Sequence, residues 1–145
     1  MVRITFLVVS AVSVSVLVGC GASSIDSFGS VHGVVLVDAK PASPGTRIRF
    51  RHRQDPTTTF YTMVDDSGGY SYRPPQEAPL KSGEYEIAVE PLTTTTKLDE
   101  SGLSVETVIR GAPKNYGKYS QLSQSGLAAT LTSGKVKCDI DITSR

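Results

Sequence analysis

Cys20 stands directly behind Leu17-Val18-Gly19, at the end of an apolar run, and is the residue best placed to do chemistry in this chain. A thiolate is the side chain most easily alkylated near neutral pH, which makes Cys20 a candidate for covalent modification. The second candidate is a row of guanidinium groups, because Arg47, Arg49, Arg51 and Arg53 recur at every second position. A strand would put all four on one face. There they would meet either a polyanion or an acidic row of the chain itself. Glu84, Glu86 and Glu90 would likewise share one face of a strand, with Ala88 between the last two, and opposite charges on neighbouring strands contribute about 0.2–1 kcal/mol per pair. Pairing within the sheet is the favoured expectation, because the chain, with 15 basic against 14 acidic residues, has almost no basic excess to offer a polyanion.

Other polar groups are explained by structure. Asp65-Asp66-Ser67-Gly68 has acidic oxygens but lacks the alternating ligands and distal glutamate of a calcium loop, and a turn accounts for each residue. His32 and His52 are too few for a zinc site, which needs three or four ligands. No serine lies in a Gly-x-Ser-x-Gly setting. Neither a catalytic set, nor a metal site, nor a cofactor is expected. Cys138 reads as a small core residue.

These side chains need elements to position them. Ile4 to Val18 is an apolar run of 15 residues, shorter than the roughly 20 needed to span a bilayer and right for a signal peptide over residues 1–19. Residues 20–30 are small and polar apart from Ile25 and Phe28, and read as a tether. Without residues 1–19 the chain loses one basic residue, Arg3, and keeps 14 basic against 14 acidic groups. That balance argues against nucleic acid as a partner. The chain has two cysteines, so if Cys20 is the modified one, Cys138 has no disulfide partner and packing must hold the fold.

Residues 31–145 read as one domain. The 13 glycines, eight prolines and many threonines, with little helical periodicity, indicate an all-β chain. Strands are expected over 31–37, 46–53, 57–64, 70–72 and 83–90. In the second of these, Ile48, Phe50 and His52 face in; in the last, Tyr85, Ile87 and Val89 do. Residues 91–125, with the Thr93 to Thr96 tract, read as a long irregular excursion holding one short strand at 103–110. Residues 126–131 and 135–142 read as a closing pair joined through Thr132-Ser133-Gly134. In that last strand Val136, Cys138, Ile140 and Ile142 face in. About seven short strands make a β-sandwich.

Two resemblances add to this. Leu17-Val18-Gly19-Cys20 resembles the lipobox of bacterial lipoproteins, which implies diacylglycerol on the Cys20 sulfur, cleavage before it and a lipid-anchored place at the outer membrane or cell surface. Two or more acyl chains make a stable anchor. Val31-x-Gly33-x-Val35 with Lys40-Pro41, Asp65-x-x-Gly68-x-Tyr70, Gly83-x-Tyr85-x-Ile87-x-Val89 and the closing stretch from Ser125 to Ile142 are together similar to the carboxypeptidase regulatory-like, or transthyretin-like, β-sandwich. Ala112-Pro113-Lys114-Asn115-Tyr116 resembles an Ile-Pro-x-Lys-Tyr segment of lipoproteins carrying that domain, and Ala39 stands where the family commonly has glycine. The resemblance implies an Ig-like fold. Gly33 and Gly83 would allow close backbone approach, and Tyr70 and Tyr85 would fill the core with their hydroxyls at its edge. The urate-pathway hydrolases of the wider group end in Tyr-Arg-Gly-Ser, where this chain reads Ile142-Thr143-Ser144-Arg145, so that activity does not carry over. The implied role is a non-catalytic envelope module that recognises a protein or a glycan through loops 74–82 or 91–125. The alternative is an accessory subunit of a larger envelope complex, whose loop 91–125 orders on binding.

Overall fold

The computed structural model describes residues 27–109 and 116–143. Its strands are β1 (Ser30–Val37), β2 (Lys40–Pro41), β3 (Arg47–His52), β4 (Thr59–Met63), β5 (Gly69–Tyr72), β6 (Gly83–Glu90), β7 (Thr94–Leu98), β8 (Ser104–Val108), β9 (Leu127–Leu131), β10 (Lys135–Lys137) and β11 (Ile140–Ile142). A 3-10 turn (Gly117–Ser120) and a one-turn helix α1 (Leu122–Ser125) precede β9.

The chain is all-β and its core lies between two sheets. One sheet centres on β1, with β5 and β2 antiparallel on one side and β10 and β11 parallel on the other. The other runs β4-β3-β6-β9, antiparallel throughout. Strict alternation decides which side chains go inside. Ile48, Phe50, Tyr85, Ile87 and Val89 from one sheet meet Val31, Val35, Tyr70, Ile140 and Ile142 from the other, all buried. Each large side chain removed from water in this way contributes about 1.5–3 kcal/mol. Counting β10 and β11 as one interrupted strand, and setting aside the two-residue β2 and the pair β7–β8, seven strands build the sandwich, as the sequence predicts.

The interruption of the last strand has a physical cause. Register is unchanged across it: Val31 sits opposite Val136, and Val35 opposite Ile140. Between them a Cβ on residue 33 would lie 2.0 Å from the Cys138 carbonyl oxygen, so only glycine allows the approach. The groups freed there find new partners. The Tyr70 hydroxyl donates to the Cys138 carbonyl at 2.6 Å, and the Asp139 carboxylate accepts from the Val34 amide at 3.1 Å. Tyr85 likewise reaches the core edge, donating to the Lys81 carbonyl at 2.6 Å. Asp38 and Ala39 both take positive φ, 51° and 62°, which closes a two-residue turn between β1 and β2.

Three expectations change. β9 does not pair with the last strand; it pairs with β6, while β10 and β11 pair with β1. The link through Thr132-Ser133-Gly134 crosses between sheets and is held by the Gly29 amide donating to the Thr132 carbonyl at 2.9 Å. Residues 27–30 are not a free tether: Phe28 is 2 % exposed and lies 5.3 Å from Phe60 and 5.9 Å from Tyr85 between ring centroids. An aromatic ring in a small polar stretch is there because the sandwich has a gap that it fills. Finally, the described part of residues 91–125 is not mostly irregular, and the one strand expected there, at 103–110, is β8. That part holds the antiparallel pair β7–β8, the 3-10 turn and α1. The last two close the half of the β6 edge that β9 leaves open, with Ser120 Oγ donating to the Val89 carbonyl and Ser125 Oγ to that of Ile87.

Candidate functional site

Leu17, Val18, Gly19 and Cys20 lie outside the described residues, as does Pro113. The arginine row is fully placed. β3 and β6 run antiparallel with Arg47 opposite Glu90, Arg49 opposite Ala88 and Arg51 opposite Glu86. Arg47 binds Glu90 through two guanidinium nitrogens, and Arg49 reaches the other Glu90 oxygen at 3.1 Å. Arg51 meets Glu86 at 2.7 Å, and Arg53 meets Glu84 at 2.6 Å. The two rows are thus one charge ladder on the outer face of the sheet. Each arginine has an acidic partner, and the face offers no block of uncompensated positive charge to a polyanion. Such half-exposed pairs fix register more than they stabilise.

The remaining polar groups support turns. His52 is buried, its Nδ1 accepting from the Asp55 amide at 3.0 Å while Nε2 faces the Ser82 carbonyl at 3.2 Å. The acceptor role of Nδ1 puts the ring proton on Nε2. Gly83 is the close neighbour of that ring, since a Cβ there would lie 2.5 Å from Nε2. Asp55 accepts from Lys81 and from Thr57, and the Lys81 bond, followed by that of Thr57, holds its carboxyl well below the usual carboxylate range. Burial pushes the Cys138 thiol up, away from the thiolate form that reacts. Among the described residues no three His, Cys, Asp or Glu side chains come together to hold a metal.

The Asp65 loop and a second loop that the sequence reading passed over are built alike. Asp65 Oδ1 accepts from the amides of Ser67 and Gly69; Asp99 Oδ1 accepts from those of Ser101 and Leu103. In both, the glycine three residues on has positive φ, 81° at Gly68 and 75° at Gly102. In both, its amide donates back to the aspartate carbonyl. Asp65-Asp66-Ser67-Gly68 and Asp99-Glu100-Ser101-Gly102 are the same acid-acid-Ser-Gly turn, and that repeat is the signal that would have found the second one.

The second turn closes β7–β8, which carries apolar side chains into solvent. Leu98 and Val108 are 71 % exposed, Leu103 66 % and Val105 45 %. At its base Leu92 and Pro91 face Met63, itself exposed, across a groove of about 240 Å³ bordered by Arg47 and Glu90. This hairpin and groove are the candidate binding surface. Loop 74–82 contributes a second hollow, lined by Phe28, Arg73, Pro74, Pro75 and Pro79, whose aromatic floor belongs to the core.

No protein-family profile matches the sequence, and no curated protein is similar to it. Among solved structures the chain is similar to the major pilin subunit BcpA of Bacillus cereus, with 11 % identity and a TM-score of 0.42 over 82 % of this chain and 31 % of that one. It is similar to the Bacillus anthracis TIE protein, with 12 % identity and a TM-score of 0.41 over 81 % of this chain and 16 % of that one. It also resembles a candidate carbohydrate-binding protein of Pseudomonas aeruginosa, with 11 % identity and a TM-score of 0.39 over 84 % of this chain and 92 % of that one. The chain spans less than a third of the length of the two Bacillus proteins.

Proposed function

We propose that this chain is a lipoprotein of the bacterial envelope, anchored by lipid on Cys20, whose transthyretin-like sandwich is a non-catalytic module that meets a protein through β7–β8. The observation that carries the recognition surface is the exposure of Leu98, Leu103, Val105 and Val108 on a pair of strands that stands clear of the core. Isolated two-stranded hairpins are marginal in water, so apolar groups displayed on one are best explained by a partner that covers them. Leu17-Val18-Gly19-Cys20 supports the anchor, and the Gly33 approach and the Asp65-x-x-Gly68-x-Tyr70 turn support the transthyretin-like assignment. The accessory-subunit reading uses the same surface; the hairpin it would use is already paired along its length. Glycan recognition has less support, because the exposed groups here are aliphatic.

The test is intact mass and membrane partitioning of the full chain beside Cys20→Ser. The expected result is an acyl mass on the wild type and release of the mutant to the soluble fraction. A wild type that is soluble and cleaved elsewhere would overturn the anchor.

A further inference from the structure

We infer that the outer edge of β8 is a strand-docking site, and that its occupant is an extended segment of another protein carrying a basic residue between apolar ones. This rests on the reading of β7–β8 as the recognition surface. The main-chain pairing decides which groups have no ladder partner among the described residues. Ladder bonds join Ile109 to Thr93 and Asp99 to Leu103, so the alternation of an antiparallel pair turns Val105 and Thr107 toward β7. The N–H and C=O groups of Ser104, Glu106 and Val108 therefore face outward.

Edges of this kind are normally guarded. β10 carries Lys135 and Lys137, and β7 carries Lys97. β8 has no lysine, no proline and no bulge, and all five of its residues are exposed. It reads Ser104-Val105-Glu106-Thr107-Val108, a pattern with high strand propensity and one charge at its centre. A strand added there would gain main-chain bonds along the edge, with side-chain pairs setting specificity.

Charge selects the occupant. Over residues 94–108 one basic group, Lys97, stands against Asp99, Glu100 and Glu106. A second copy of β8 added about a two-fold axis at its centre would put Glu106 against Glu106, and like charges directly opposite are destabilising. A foreign strand with Lys or Arg opposite Glu106 and valine-like residues on either side of it, which fall on the other face with Val105 and Thr107, satisfies both the charge and Val105.

The experiment uses the full-length chain in detergent, isotope-labelled, with two synthetic peptides as probes: one alternating lysine with valine, the other glutamate with valine. The lysine peptide is expected to bind about tenfold tighter than the glutamate peptide, and to slow hydrogen exchange at the amides of Ser104, Glu106 and Val108. Ser104→Pro removes an outward N–H and leaves the ladder to β7 intact, so it should abolish binding. Should proline unravel the hairpin, Glu106→Lys keeps the test alive, because it should reverse the preference between the peptides. Equal binding of the two peptides, or binding that Ser104→Pro and Glu106→Lys leave unchanged, overturns the inference. Protection of the same amides that grows with protein concentration alone also overturns it, by making the occupant a second copy. An envelope partner that still needs β7–β8 while the lysine peptide fails would sink the docking mode and leave the recognition surface standing.

Discussion

The same acid-acid-Ser-Gly turn appears twice and does opposite work. At Asp65–Gly68 it carries the chain from β4 in one sheet to β5 in the other, so Phe60 and Tyr70 on its two arms are both buried. At Asp99–Gly102 it closes β7 on β8, and the arms bury almost nothing. The two turns share their main-chain bonds and their glycine conformation; what differs is whether the flanking side chains have a core to enter. A turn fixes where a chain reverses, and the alternation beside it decides whether the reversal becomes scaffold or surface.

That contrast can be broken most severely in the body. Phe50 is fully buried and stacked on Phe60 at 4.7 Å between centroids. Phe50→Ala should cost about 3–5 kcal/mol in denaturant unfolding. The serine substitution of Val108, by contrast, should stay within about 0.5 kcal/mol. Comparable losses at both sites would mean that the hairpin is part of the core.

Gly68→Ala and Gly102→Ala sharpen the comparison further, since each forces a side chain into positive φ at a cost of about 1–2 kcal/mol. At Gly68 the new methyl would also lie 2.7 Å from the Pro41 Cβ, whereas Gly102 faces open space. Gly68→Ala should therefore lower the global melting temperature, while Gly102→Ala should only speed hydrogen exchange within β7–β8.

Alkaline unfolding separates the regions by another route. Burial pushes Tyr85 up to about 12 and raises Tyr70 as well. A phenol whose folded value lies above its unfolded value of about 10 contributes stability that is complete below pH 10 and lost as pH rises toward the folded value. Tyrosinate absorbance from these two residues should thus appear only with loss of the sandwich. The hairpin has no tyrosine, so its opening should be silent in that signal.

The smallest effect is expected on the charge ladder. A double-mutant cycle on Arg51 and Glu86 should return a coupling of about 0.2–1 kcal/mol. A value near zero would make the ladder a register device alone.

Much of the body was legible because alternation and burial coincide there. β3 and β6 show their inward residues in the sequence, and the rows of arginines and glutamates showed which strands lie side by side. Phe28 was not legible, since one aromatic in a polar stretch has no period to reveal it. The separation of β9 from the last strand was hidden too, because a link of three residues fits a hairpin as well as a crossing between sheets. β7 escaped because four threonines carry no apolar alternation, although the turn that ends it repeats the Asp65 motif. The candidate surface was legible as a region, 91–125, with one strand at 103–110 that the structure places as β8, but without β7.

The central claim is that an anchored chain meets its partner through β7–β8. The direct test is photocrosslinking in living cells from Val108 on the hairpin and, as the comparison, from Thr130, an exposed position on β9. The account predicts one discrete adduct from Val108, none from Thr130, and loss of the adduct when Cys20 is replaced by serine. Adducts of equal yield from both positions, or from Thr130 alone, would contradict it.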